Sequence, residues 1–292
     1  MNSPDWHFAP PDPAPRQPHW GMPALAIDTH AHVFGPQSRY PYAPLRQYTP
    51  PDQTLAQYLH MLDATGLARG VLSQPSIYGS DNACLLDALD ASDGRLRGIV
   101  VMELDDFSDS QLRRLHDRGV RGLRLNLALP GGLSIDRIEK MSQRLAGMGW
   151  HLEVLFDRVE RLCEFGPLLR KLQANVVVEQ MGTMRAGQPI SEPGFQALIG
   201  LLAANENIWA KLSHPYKISS GQPPYADVTH YARALVQAAP DRLIWGSDWP
   251  HPRVPGAMPN DGLLLDLLLE WTGHELATAQ KILSVNAAAL YA

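Results

Sequence analysis

Two histidines one residue apart are the first chemical signal in the sequence. The segment Asp28-Thr29-His30-Ala31-His32 follows a short apolar run. Side chains at positions i and i+2 of a strand share a face, so His30 and His32 are predicted to point into one site. Such a pair can bind one metal ion or one substrate oxygen. The alternative interpretation is two hydrogen-bonded polar residues at a strand end.

An aspartate follows another apolar run near the C-terminal end of the chain. Asp248 comes directly after residues 243–247, and two prolines, Pro250 and Pro252, prevent that strand from continuing. A carboxylate at a strand end can take a proton from water, so we expect Asp248 to be a general base. A helix cap is the alternative role, and the prolines weaken it. His251, in the same loop, is a further candidate for substrate binding.

Short apolar runs alternate with amphipathic helical patterns from Ala24 onward, which is typical of βα units in a parallel sheet. Strands are predicted at 25–28, 69–74, 97–102, 120–125, 151–156, 175–180, 207–212 and 242–247. Helices are predicted at 54–64, 82–91, 109–118, 135–148, 161–173, 194–203, 228–238 and 262–271. Eight such units over about 250 residues predict a single-domain (β/α)8 TIM barrel, with its chemistry at the C-terminal ends of the strands.

Composition excludes several classes of protein. The chain has 292 residues and a net charge of −5, which excludes a binder of nucleic acid because that needs a basic surface. Apolar residues make up 45% of the chain, too many for intrinsic disorder. The two cysteines form no zinc or disulfide pattern, and no apolar run could span a membrane. We therefore expect a cytoplasmic protein without membrane or nucleic-acid partners.

The N-terminal segment has a different composition from the rest of the chain. Prolines are concentrated in it, including Pro10, Pro11, Pro13 and Pro15, and they favour extended backbone. We expect residues 1–23 to form a proline-rich arm and residues 24–292 to form the barrel. The chain could form a homo-oligomer.

Several motifs together resemble the amidohydrolase superfamily, in the branch of 2-pyrone-4,6-dicarboxylate lactonase, sugar-acid lactonases and galactarolactone isomerase. The motifs are DTHAHVFGP at 28–36, YAP at 42–44, QYTP at 47–50, GVRGLR at 119–124 and WGSDWPHP at 245–252. The resemblance runs from about Ala24 to the C-terminus. It implies a lactone as substrate, Asp248 as the base that takes a proton from water, and His30 and His32 as groups that polarise the lactone carbonyl.

Two cations are candidate substrate ligands. Arg121 and Arg124 lie three residues apart on one predicted strand, so only one of them can face the barrel mouth. Arg124 is nearer the C-terminal end of that strand, and we expect it to hold a carboxylate of the substrate. Lys217 stands where the resemblance implies another cation, although a solvated surface charge is the alternative interpretation.

The sequence departs from the family pattern at Gln180, where a histidine is usual. Glutamine can donate a hydrogen bond to a carbonyl oxygen, but it is a poor ligand for zinc. A binuclear metal site is therefore not expected. His30, His32 and Asp248 could still hold one divalent ion such as zinc, with Glu153 or Glu179 as further ligands. We predict hydrolysis that requires no cofactor.

The sequence also departs from the family pattern at residues expected to bind the substrate. Leu155 stands where the pyrone dicarboxylate enzyme is expected to carry a tyrosine, and the loop 128–132 lacks the extra basic residues associated with a second carboxylate. Fewer cations indicate fewer substrate charges, so a sugar-acid lactone with one carboxylate or none is predicted. Other expected substrate contacts follow strands one, two and seven: Tyr48, Gln74, Ser76 and His214.

Four hypotheses follow for the function. A lactone hydrolase uses Asp248, His30, His32 and Gln180 as its catalytic residues. A lactone isomerase needs the same groups but excludes water. A zinc-dependent decarboxylase of the same superfamily is disfavoured by Gln180, and an inactive binding barrel is disfavoured by the presence of both histidines and Asp248.

Overall fold

The computed structural model describes residues 8–44, 46–128 and 137–292. Eight parallel strands pair in sequence order, which confirms the predicted architecture. Their bounds are β1 Ile27–Ala31, β2 Arg69–Ser73, β3 Leu96–Val100, β4 Val120–Asn126, β5 His151–Leu155, β6 Val176–Val178, β7 Ile208–Leu212 and β8 Leu243–Trp245. The predicted loop 128–132 lies outside the described residues apart from its first residue.

The first and last strands approach each other and nearly close the barrel. The amide of Asp248 donates to the carbonyl of His30 at 2.8 Å, and the amide of His32 donates to the carbonyl of Trp249 at 2.7 Å. Gly246 makes this approach possible, because a Cβ at that position would lie 2.6 Å from the Cβ of His30. The closure therefore brings the two predicted catalytic segments together.

The described residues contain helices at the eight predicted positions, with ends that differ by a few residues, and three further helices. Their bounds are α1 Leu55–Thr65, α2 Ala83–Asp90, α3 Asp109–Asp117, α4 Ile138–Gly147, α5 Arg161–Leu169, α6 Pro193–Ala204, α7 Pro215–Ile218, α8 Thr229–Ala238, α9 Asp261–Trp271, α10 Leu276–Lys281 and α11 Ala287–Tyr291. Helix α1 begins with a capping box between Thr54 and Gln57 and ends at Gly66, whose φ of 80° suits glycine. The short helix α7 and the C-terminal helices α10 and α11 were not predicted.

Helix α11 fills one end of the barrel interior. Leu290 and Tyr291 of this helix pack in a buried cluster with apolar side chains from six strands: Ile27, Val71, Ile99, Val177, Trp209 and Ile244. This packing leaves the opposite end of the barrel, at the C-terminal ends of the strands, for polar side chains. The C-terminal helix therefore acts as the floor beneath a buried polar layer.

The described part of the N-terminal arm lies against helix α9. The Arg16 side chain pairs with Asp266 at 2.6 Å, and the indole nitrogen of Trp20 donates to the carbonyl of Leu265 at 3.1 Å. Nearer the N-terminus of the arm, the ring of Phe8 lies 5.7 Å from that of Tyr48. Within the described ranges, no helix has the length and apolar character needed to cross a bilayer.

Candidate active site

A cavity of about 650 Å³ opens at the end of the barrel formed by the C-terminal ends of the strands. Seven of the predicted site residues are among those that line it: His32, Tyr48, Ser76, Arg124, Gln180, His214 and Lys217. His30 and Asp248 are fully buried and contact these lining residues from behind. Leu155 also lines the cavity.

The carboxylate of Asp248 has one crowded oxygen and one open oxygen. Its Oδ2 accepts hydrogen bonds from the hydroxyl of Tyr216 and from Nζ of Lys217 at 3.0 Å, and it lies 2.9 Å from Nε2 of His214. Its Oδ1 is buried and accepts no hydrogen bond from the described residues. This asymmetry holds the carboxylate by one oxygen and leaves the other to act on a bound molecule.

The surroundings of Asp248 favour its ionised form. Burial alone would raise its pKa, but His214, Lys217 and their hydrogen bonds hold the pKa well below its usual value. Burial lowers the pKa of His214 to about 4, so this imidazole is neutral at pH 7. A neutral His214 can still donate from Nε2 to Asp248, because its Nδ1 lies 2.6 Å from the hydroxyl of Ser213, which can donate to it.

The two predicted histidines converge on the open oxygen of Asp248. Nε2 of His32 lies 3.3 Å from Oδ1, and Nε2 of His30 lies 3.7 Å from it. The two rings are 4.9 Å apart and nearly perpendicular. Three polar atoms thus surround one point next to the cavity.

Asp28 joins the two segments that carry these residues. Its Oδ1 accepts from the backbone amides of Ser247 and His30, and its Oδ2 accepts from the hydroxyls of Ser247 and Tyr58. Burial raises the pKa of Asp28 to about 6 against these hydrogen bonds, so the group is mostly ionised at pH 7. The carboxylate therefore fixes the segment before Asp248 to the strand that carries His30.

Three site residues have left-handed backbone conformations. Gln180, His214 and Asp248 have φ values of 52°, 58° and 62°, and they follow strands β6, β7 and β8. Residues other than glycine rarely adopt this conformation, and such strain is concentrated at functional sites. The turn at each strand end directs the chain around the cavity.

Arg124 lines the cavity and is paired within the protein. Its guanidinium makes two hydrogen bonds to the carboxylate of Glu179, at 2.8 and 2.7 Å, and a third to the carbonyl of Gln74. Burial opposes the charge, but Glu179 raises the pKa of Arg124 above its usual value. These bonds use three of its five N–H groups, and no described residue binds the other two. Arg121, in contrast, donates to the carbonyl of His116 away from the cavity.

Gln74 and His251 are not among the described residues that line the cavity, and their contact with substrate stays a prediction. The Gln74 amide donates to the carbonyls of Gly79 and Asp81, and it therefore shapes the loop after β2. His251 is fully buried with its Nε2 3.1 Å from Asp261 at the start of α9. Both residues support the site through these contacts.

The structure adds residues that the sequence did not single out. Tyr216 binds Asp248, and the fully buried Lys211 lies 2.9 Å from Glu153, which also accepts from the hydroxyl of Tyr291 at 2.5 Å. A lysine inside the apolar strand β7 is a signal that could have been noticed, because Lys211 shares a strand face with the inward Trp209. Tyr291 gave no such signal, since its partner is more than a hundred residues away.

Two groups of the described residues place metal-binding atoms within 4.8 Å of one another: His30, His32 and Asp248, and His30, Glu153 and Glu179. A histidine that binds metal through one nitrogen usually donates its other N–H to an acceptor. Nδ1 of His30 instead faces the ammonium of Lys211 at 3.3 Å. Glu153 and Glu179 are already paired with Lys211 and Arg124. His30, His32 and Asp248 therefore form a possible metal site, in which His30 lacks the usual acceptor at its second nitrogen.

Comparison with known proteins places the chain among amidohydrolases. The amidohydrolase family model Amidohydro_2 matches residues 27–292. The chain is 37% identical to a 2-pyrone-4,6-dicarboxylate hydrolase of Comamonas testosteroni, over 95% of this chain and 93% of that protein. It is also 37% identical to a 4-sulfomuconolactone hydrolase of Rhizobium radiobacter, over 93% and 91%. A D-galactarolactone isomerase of Agrobacterium fabrum is 28% identical over 94% and 93%.

Solved structures of related proteins share the fold of this chain. A crystal structure of an Agrobacterium tumefaciens protein without ligand is 27% identical, with a TM-score of 0.84 over 96% of this chain and 98% of that one. A structure from Acinetobacter baumannii, described as a probable 2-pyrone-4,6-dicarboxylic acid hydrolase with citric acid bound, is 26% identical. Its TM-score is 0.78 over 91% and 98%.

Proposed function

The chain belongs to the Amidohydro_2 family of amidohydrolases, and we propose that it opens the ester ring of a carboxylated or sugar-acid lactone with a water molecule activated by Asp248. Its relatives include lactone hydrolases and a lactone isomerase, which supports lactone-ring hydrolysis or isomerisation as the chemistry of this chain. One observation carries the finer proposal. The open oxygen of Asp248 lies beside the cavity with Nε2 of both histidines within 4 Å.

The proposed reaction begins with a water molecule held by His30, His32 and Oδ1 of Asp248. Its oxygen attacks the lactone carbonyl carbon, and its proton passes to Asp248 as the new bond forms. The low pKa of Asp248 makes it a weak base toward free water. The proton becomes acidic only during the attack, so the transfer is expected in the transition state. The protonated Asp248 then gives that proton to the ring oxygen as the ester bond breaks.

Lys217 and Gln180 are the groups proposed to stabilise the oxyanion. Both line the cavity, and Lys217 reaches Oδ2 of the same carboxylate at 3.0 Å. An ammonium and an amide N–H aimed at the carbonyl oxygen lower the energy of the charge that develops there. This assignment differs from the sequence-based expectation for His30 and His32. His30 is fully buried, and Nδ1 of His32 is 2.6 Å from the carbonyl of Ser73.

Two of the three described Arg and Lys side chains in the cavity lining are paired within the protein, and the third is Arg253. Lys217 is paired with Asp248, and Arg124 is paired with Glu179. The two N–H groups of Arg124 that remain can hold one carboxylate. We therefore propose a lactone with one carboxylate or none, bound without a metal cofactor.

Isomerisation is the second candidate, because the galactarolactone isomerase matches almost the whole chain. The same base and oxyanion donors would serve a reaction in which a hydroxyl of the substrate replaces water as the nucleophile. An inactive binding barrel or a zinc-dependent decarboxylase would not open a lactone ring.

A panel of lactones tests the proposal. Purified enzyme is incubated with aldonolactones, aldarolactones and pyrone lactones that carry no, one or two carboxylates, and ring opening is followed by acid release. We expect the highest kcat/KM for a lactone with one carboxylate or none. Turnover of no lactone would contradict the proposed function, and a preference for the pyrone dicarboxylate would contradict the assignment of substrate charge.

A further inference from the structure

Lys211 is buried in the barrel interior and has no role in the reaction proposed above. Its Nζ lies 2.9 Å from the carbonyl of Thr29, 2.9 Å from Oε2 of Glu153 and 3.3 Å from Nδ1 of His30. An ammonium has three N–H donors and no acceptor. The three neighbours match those three donors, so the lysine is fully satisfied in its charged form.

The contact with Lys211 determines which nitrogen of His30 carries a proton. Nδ1 must accept from the ammonium, because Lys211 has nothing with which to accept a hydrogen bond. In a neutral imidazole the proton is then on Nε2. Burial and the nearby charge of Lys211 keep the pKa of His30 well below its usual value, which makes the neutral form the relevant one.

His32 has the opposite arrangement. Its Nδ1 lies 2.6 Å from the carbonyl oxygen of Ser73, which can only accept, so Nδ1 carries the proton. Its Nε2 lies 3.3 Å from Oδ1 of Asp248. The assignment of both protons follows from the partners of the two rings.

The atoms beside the cavity therefore include one donor, Nε2–H of His30, and one acceptor, Oδ1 of Asp248. A water molecule can accept a hydrogen bond from His30 and donate one to Asp248, which matches these two atoms. A divalent ion needs a lone pair from each nitrogen, and the proton on Nε2 of His30 prevents that. This arrangement of hydrogen-bond donor and acceptor favours a bound water molecule over a divalent metal ion.

We propose that Lys211 is a positioning residue that fixes the tautomer of His30 and so makes the cluster bind the attacking water instead of a divalent metal. The inference rests on the proposed hydrolysis for the role of that water. Glu153 is the acceptor that would take over if the ammonium were lost, because its Oε2 lies 3.9 Å from Nδ1 of His30. A carboxylate in that place would hold the proton on Nδ1 and free Nε2 to bind metal.

The wild-type enzyme provides the first test. Protein labelled with 15N at histidine is studied by long-range 1H–15N correlation NMR, which distinguishes the two neutral tautomers. We expect the proton on Nε2 of His30 and on Nδ1 of His32. A proton on Nδ1 of His30 would overturn the proposal, and this result requires neither a substrate nor a variant.

The variant Lys211→Met provides the second test. We expect its His30 to move the proton to Nδ1, and we expect its affinity for Zn²⁺, measured by calorimetric titration, to rise by about 10–100-fold over wild type. The matched control is Tyr291→Phe, which removes a hydrogen bond to the same Glu153 but keeps the ammonium. This control should retain the wild-type tautomer and the wild-type zinc affinity.

The outcomes separate this inference from the proposed function. A folded Lys211→Met protein with unchanged tautomer and zinc affinity would overturn the inference even if the wild-type enzyme hydrolyses lactones. Equal gains in zinc affinity for Lys211→Met and Tyr291→Phe would do the same, because they would reflect a general disturbance around Glu153. If Lys211→Met does not fold, the wild-type tautomers decide the question. Failure of the lactone panel would contradict the hydrolysis and leave these measurements standing.

Discussion

Asp248→Asn is expected to lower kcat by about 10²–10⁴-fold on the best lactone of the panel, the range that a general acid–base group contributes. The three donors around Oδ2 will hold the amide oxygen in that place and turn the NH₂ group toward His30 and His32. A donor then replaces the acceptor that takes the proton of the water. The measurement is steady-state kinetics, with circular dichroism and thermal unfolding to establish that the fold is retained.

Asp157→Asn is the matched control for this prediction. Asp157 is another acidic side chain of the cavity lining, it is partly exposed, and it pairs with Arg158 at 2.6 Å. The same chemical change at this position should leave kcat within about tenfold of wild type, because no step requires this carboxylate. A folded Asp248→Asn enzyme as active as this control would remove Asp248 from the role of base.

Glu179→Ala is expected to lower the free energy of unfolding by about 3–5 kcal/mol, the cost of breaking a buried ion pair by removing one partner. Both Glu179 and Arg124 are buried, and the substitution would leave the guanidinium without its two carboxylate hydrogen bonds. The remaining contact with the carbonyl of Gln74 does not neutralise the charge. Urea-induced unfolding of the variant and the wild type gives the difference.

An exposed ion pair provides the comparison for Glu179→Ala. Arg161 and Glu164 lie 2.9 Å apart on the surface of α5, and the Glu164 side chain is 59% exposed. Glu164→Ala should cost less than about 1 kcal/mol, because solvent screens such pairs. Equal losses for the two variants would show that the Arg124–Glu179 pair is not the buried electrostatic anchor described here.

The fold could be predicted from the sequence because each unit carries its own local signals. The apolar run of β4 and the amphipathic pattern of α3 define one unit without reference to distant residues. Helix ends at glycines such as Gly66 were likewise predictable, since a positive φ is a local requirement. The C-terminal helix α11 was not predicted, because its apolar partners are spread over six strands of the barrel floor.

The site was only partly predictable for a related physical reason. The His-x-His pattern and the aspartate after β8 indicate residues that point to one cavity, and barrel closure places them within 4 Å of each other. The sequence could not show that Oδ2 of Asp248 is occupied by Tyr216, Lys217 and His214, since that depends on the turn after β7. It also could not pair Lys211 with Glu153, because those residues meet only across the barrel interior.

The origin of the oxygen atom added to the product is the most direct test of the proposed hydrolysis at Asp248. The enzyme is allowed to turn over its best lactone in water enriched in 18O, and the product is analysed by mass spectrometry before the carboxylate can exchange with the solvent. Attack by water on the carbonyl carbon predicts one 18O atom in the new carboxylate group and none in the hydroxyl that leaves the ring. An unlabelled product, or a lactone whose ring has moved to another hydroxyl, would contradict the account and indicate an isomerase.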